Sequence, residues 1–222
     1  MEQIVKGCYL TSEQRQVILQ GIMEGKAKFE DLKSQIGHTT TKTGGPRLRY
    51  DLINTHVEEN IKSNPHLSME VHVKRSGSYP YIVLHDFLRN KFVLVLRLQK
   101  EIFDPSRYRG ENAFSNVDRL MEMGLKLEDL PNDYNHQYSL FLGAEHQPFG
   151  IIVCYDAYKD IVYEGALRPD QNDWLYKENI TDYIDLKTNK VTHIKRPEHT
   201  DKIELSLKKQ SDEEEITLKL KK

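Results

Sequence analysis

The sequence predicts an α+β domain with mainly antiparallel sheet, N-terminal helices and one central helix. Three observations lead there. Apolar residues recur every three or four positions up to residue 62, then at every second position from Met69. The elements run helices, strands, helix, strands. Neither a strand–helix alternation of dinucleotide-binding length nor an internal repeat occurs.

The first helix is expected over residues 11–36. Thr11 to Gln14 fits a capping box, and Val17, Ile18, Ile22 and Met23 form an apolar stripe. Gly21 and Gly25 weaken the pattern and suggest two shorter helices, the second from Lys26 to Gln35, with Gly37 as its stop. His38–Pro46 is a polar linker containing two glycines. Pro46 suits the first turn of the next helix, where Tyr50, Ile53, Val57 and Ile61 make one stripe and Asn64-Pro65 ends it.

Met69–Arg75, Pro80–His85 and Lys91–Gln99 are then short strands at hairpin and meander spacing. A polar loop covers 104–111, a helix runs from Asn112 to about Leu125, and a second loop covers 129–137. Strands follow at Tyr138–Leu142, Gly150–Tyr158 and Asp160–Leu167, then a loop with a short helical turn at 170–180. Three alternating strands finish the chain: Tyr183–Lys195, Lys202–Lys208 and Glu215–Leu220, the last two as a hairpin. The expected organisation is a helical segment, 1–37, packed with an α+β region, 46–222, into a single domain.

Composition narrows the class. The 222 residues are 38% hydrophobic and 30% charged, which implies a lean core under a heavily charged surface. Twelve Tyr, seven Phe and one Trp argue against disorder. The longest central apolar run, Phe92–Leu96, is far short of the ~20 residues that span a bilayer. The N-terminus lacks a signal-peptide layout, and Cys8 and Cys154 are too isolated for a disulfide framework or a zinc site. A cytoplasmic chain without membrane contact or resident cofactor is expected.

The net charge of -2 hides a split. Residues 1–110 carry 17 Lys+Arg against 12 Asp+Glu, and residues 111–222 carry 15 against 22. Within the basic half, Lys74, Arg75, Arg89, Lys91, Arg107 and Arg109 lie near Tyr79, Tyr81 and Tyr108, a pattern suited to tracking phosphates and stacking bases. Gly44-Gly45-Pro46 with Arg47 and Arg49 opens a helix, where the N-terminus favours anions. Within the acidic half, Tyr158, Asp160, Tyr163, Glu164, Asp173, Trp174 and Tyr176 interleave acids with aromatic anchors. They suit a protein partner, or imitation of a nucleic-acid backbone.

Two patterns are nuclease-like. Pro169-Asp170, with Asp185-Leu186-Lys187 following, has the spacing by which two carboxylates hold Mg²⁺ and a lysine stabilises charge. Glu70, His72 and Lys74 alternate onto one strand face, with Asp86 after the next strand, but the acid-x-Lys that should follow is missing. One carboxylate plus a histidine at the second could bind a divalent ion. The ordinary reading is a charged β-hairpin and a loop for the first and the solvated face of an antiparallel strand for the second, and no metal site is expected. His85-Asp86 at a strand end could orient an imidazole.

The run from Gly44 to Thr55, followed by a hairpin and Phe92–Arg97, resembles an uncharacterised family of small proteins from Gram-positive bacteria and their prophages. Arg49, Tyr50, Asp51, Ile53 and Asn54 carry the likeness, which spans about residues 44–100. It implies a bacterial or phage cytosolic accessory protein and transfers no catalytic residue. The leading expectation is thus a non-enzymatic factor engaging a host protein or nucleic-acid-handling complex. The alternatives are an Mg²⁺-dependent nuclease using Asp170, Asp185 and Lys187, and direct nucleic-acid binding through the basic 74–109 region.

Overall fold

A computed structural model describes residues 7–36, 44–98, 103–124, 148–156 and 159–183. The fold is α+β. Among the described residues four α-helices, α1 (Ser12–Ile36), α2 (Gly45–Lys62), α3 (Arg107–Ala113) and α4 (Asn116–Glu122), accompany six strands. The strands are β1 (Met69–Ser76), β2 (Tyr79–Asp86), β3 (Lys91–Leu98), β4 (Phe149–Asp156), β5 (Val162–Leu167) and β6 (Trp174–Asn179), in one sheet of order β1-β2-β3-β4-β5-β6. Every pairing is antiparallel except β3–β4, whose connection carries α3 and α4.

The capping box at the start of α1 forms as the sequence implies. The Gln14 amide donates to Thr11 Oγ1 at 3.2 Å, and the Thr11 amide donates back to Gln14 Oε1 at 3.1 Å. The two glycines do not break this helix. They are where α2 crosses it: a Cβ on Gly25 would lie 2.4 Å from Ile53 Cα, and one on Gly21 2.6 Å from Val57 Cα. The expected split into two helices is therefore replaced by a single helix of 25 residues.

α1 and α2 cover one sheet face. Ile18, Ile22, Ile53, Val57 and Ile61 pack there against Leu84, Val93, Val95, Ile151 and Val153. The opposite face holds a smaller cluster that includes Val83, Leu94, Leu96, Phe103, Ala113 and Ile152. The expected central helix is present as α4, and the expected loop at 104–111 carries a further short helix, α3. Asn116 fixes α4: its amide donates to the carbonyls of Gly150 (3.0 Å) and Leu167 (2.9 Å), and its Oδ1 accepts from the Gly150 amide at 2.7 Å.

The expected loop at 170–180 contains a strand instead, β6, because Trp174, Tyr176 and Glu178 find partners across β5. The expected strand at 138–142 and the three C-terminal strands from residue 184 on lie outside the described residues. Among the described residues no helix is long and apolar enough to cross a membrane.

Candidate nucleic-acid interface

At one end of the sheet, the N-terminus of α2 meets the β1–β2 turn. The first turn of α2 contains Pro46 and Arg47 and no acid, so its positive dipole end is not neutralised within the helix. Across from it the β1–β2 hairpin presents Tyr79 and Tyr81, β3 contributes Arg97, and α3 contributes Tyr108. With Tyr50 these residues line a groove of about 400 Å³, within the range of small-ligand sites.

The rings are arranged rather than merely close. Tyr81 and Tyr108 sit 4.9 Å apart between centroids, tilted by 41°. The Arg47 guanidinium lies 5.3 Å from the Tyr79 ring centroid and 5.9 Å from that of Tyr50, while its Nε pairs with Asp51 at 3.0 Å. Arg109 backs the groove from behind, 4.9 Å over the Tyr108 ring, donating to Tyr108 Oη at 2.6 Å. Burial pushes the Tyr50 hydroxyl upward, and burial, then Glu111 and Tyr108, does the same at Tyr81. Both hydroxyls thus keep their protons at neutral pH and can donate to an anion. Four phenol faces, two guanidinium groups and a helix N-terminus can together hold a planar ring and a phosphate.

The basic set singled out in the sequence does not form one surface. Lys91 is buried, its ammonium donating to the Tyr9 carbonyl at 2.6 Å, and burial lowers its pKa. Arg89 pairs with Asp86 at 3.2 Å in the β2–β3 turn, at the other end of the hairpin from the groove. Arg107 pairs with Glu111 at 2.9 Å on the exposed side of α3. Lys74 and Arg75 are exposed near the end of β1, with Lys74 over the Phe92 ring. Arg109 acts through Tyr108. Sequence reading noted Arg47 and the tyrosines separately and placed Tyr50 in an apolar stripe; no local signal foretells that a hairpin tip docks at this helix N-terminus.

The acid-and-aromatic set is spread over both sheet faces. Glu164 is fully buried: its carboxylate accepts from Arg15 Nε (2.6 Å) and the Leu10 amide (2.9 Å). Tyr176 donates to the same carboxylate at 3.3 Å and packs 4.5 Å from Tyr9. Burial pushes the Glu164 carboxyl up while Arg15 pulls it down. Tyr163 and Trp174 lie on the opposite face under the Lys177 ammonium, 4.5 and 5.2 Å from it, and Trp174 also faces Phe103 at 5.9 Å. Asp160 is exposed and reaches Lys26 at 3.5 Å, and Asp173 is exposed in the turn before β6. Tyr158 lies outside the described residues.

Of the nuclease trio, only Asp170 is described. It sits in a turn, accepting from the Asn172 amide at 3.1 Å, and Asp185 and Lys187 lie outside the described residues. In the second nuclease-like pattern, Asp86 is fully buried on the helix-covered face. It accepts from Gln14 at 2.8 Å, so it does not join Glu70 and His72. His85 lies on their face instead, and burial and His72 hold it below the ordinary histidine range. Comparison of the chain with family models, with curated proteins and with solved structures finds no match.

Proposed function

We propose that this chain binds single-stranded nucleic acid, receiving one nucleotide in the groove between the α2 N-terminus and the β1–β2 hairpin. The observation that carries it is the convergence of Tyr50, Tyr79, Tyr81 and Tyr108 with Arg47 and Arg97 around a cavity of about 400 Å³. A base has a π-face that any tyrosine can stack on, whatever its identity. The phosphate beside it is met by guanidinium groups and by the helix dipole. The expected recognition is sequence-tolerant.

Fluorescence anisotropy with labelled single-stranded DNA and RNA oligonucleotides tests it. Tyr81→Ala and Tyr108→Ala should each cost about 1–3 kcal/mol, or roughly 5- to 150-fold in Kd, the value of one stacked base. Arg97→Ala should weaken binding of every sequence alike. Unchanged affinity in these folded variants, or no binding by the wild type at low salt, rejects the proposal.

A further inference from the structure

We propose that Glu70, His72 and His85 form a site for one divalent transition-metal cation of the zinc type, with at least one coordination position left to solvent. Strand pairing, not a loop, assembles it. Glu70 and His72 are two residues apart in β1 and so share a face, and His85 stands directly opposite Glu70 in β2. Residues opposed in this way have Cβ atoms about 4.5–5.5 Å apart, which fixes the three side chains as neighbours.

Their donor atoms, one from each residue, all lie within 4.8 Å of one another, and His72 Nε2 is 3.6 Å from Glu70 Oε2. Zinc–ligand bonds of about 2.0–2.2 Å in a tetrahedral shell would bring the donors to roughly 3.4 Å apart. The remaining gap falls to the two side chains best able to close it, since Glu70 and His72 are 62% and 45% exposed. His85 supplies the fixed point: its ring meets Phe92 edge-on at 4.8 Å and 72°, and the two imidazoles are already tilted at 43° with centroids 6.0 Å apart.

The donor set chooses the ion. Two imidazoles and one carboxylate suit borderline cations such as Zn²⁺, Co²⁺ and Ni²⁺, whereas Mg²⁺ and Ca²⁺ favour oxygen donors throughout. Lys74, the next residue on this face, carries its ammonium over the Phe92 ring at 5.0 Å. The site lies at the opposite end of the β1–β2 pair from the tyrosine groove and does not depend on it. Among the described residues β1 is an edge strand, so a bound ion would also tie that edge of the sheet to β2.

Titration of the purified full-length chain with Zn²⁺ alone, and with Co²⁺ as a visible-absorption probe, tests this without any oligonucleotide. One equivalent should bind with micromolar or tighter affinity, and saturating Zn²⁺ should raise Tm. His72→Ala and His85→Ala should each weaken binding about 10-fold or more and abolish the Co²⁺ spectrum. His66→Ala, whose ring pairs with Glu13 elsewhere, should change neither. Should His85→Ala fail to fold, Glu70→Gln and His72→Ala at exposed positions carry the test, with circular dichroism as the check on folding. The absence of saturable binding overturns the proposal, as does binding that survives His72→Ala and Glu70→Gln unchanged.

Discussion

Glu164 illustrates how an acid in a charged sequence is turned to structure. Its carboxylate and the Arg15 guanidinium are both almost wholly buried, and Arg15 also reaches Glu178 at 2.8 Å and the Tyr183 hydroxyl. Removing one partner leaves the other charge without its counterpart in a dry site. Glu164→Gln should therefore lower unfolding stability by about 3 kcal/mol, read as a fall in the urea midpoint. A change below about 0.5 kcal/mol would mean that Glu178 alone suffices for Arg15. The cysteines make a second residue-scale case. Burial raises Cys8 to about 11 and Cys154 to about 12, so at pH 8 both are held as thiols and are poor nucleophiles. A disulfide reagent at that pH should label neither in the native protein and both after denaturation. Prompt labelling of one in the fold would contradict its burial.

At the scale of elements, the crossing of α1 and α2 depends on the absence of two side chains. In an isolated peptide spanning α1, Gly25→Ala should increase helicity, because alanine is favoured by about 1 kcal/mol in a helix interior. In the whole chain the same change drives a Cβ into the backbone of Ile53, and stability should fall by about 1–3 kcal/mol. Opposite signs in peptide and protein, by circular dichroism and urea melts, identify the packing as the cause. Asn116 plays a comparable part for α4, joining it to β4 and β5 through three hydrogen bonds from one side chain. Asn116→Ala should cost about 1–3 kcal/mol by leaving the buried groups of Gly150 and Leu167 unpaired.

For the molecule as a whole, the charge split does not translate into a basic face among the described residues. Of six basic residues suited to phosphates, Lys91 is buried and Arg89 and Arg107 are paired with acids, while the groove draws on Arg97 and on Arg47, itself paired through Nε with Asp51. One neutralised phosphate on a single strand predicts a slope of log K against log salt near about -0.7, whereas six would give about -4. Anisotropy titrations across a salt series separate the two. A slope near about -4 would restore the wider basic surface, and one near about -0.7 supports the groove.

Much of the fold was readable along the chain because its signals are local. The capping box at Thr11–Gln14, the stripe from Tyr50 to Ile61 ended by Asn64-Pro65, and the change of period at Met69 each depend on neighbours within a few residues. Gly21 and Gly25 do not interrupt α1, because they serve contacts with a helix about thirty residues away, which no local pattern records. β6 was missed because its residues are specified by pairing with β5 rather than by alternation of their own. The sites follow the same rule. Local signals along the chain carry α2, α4, the β1–β2 hairpin and the stock of tyrosines, arginines and histidines. Packing brings Arg47 and Tyr50 to Tyr79, Tyr81 and Tyr108, and strand register places His85 rather than Asp86 beside Glu70. The physical reason is that strand register and helix docking set which side chains meet across space, and each depends on the burial of many residues at once.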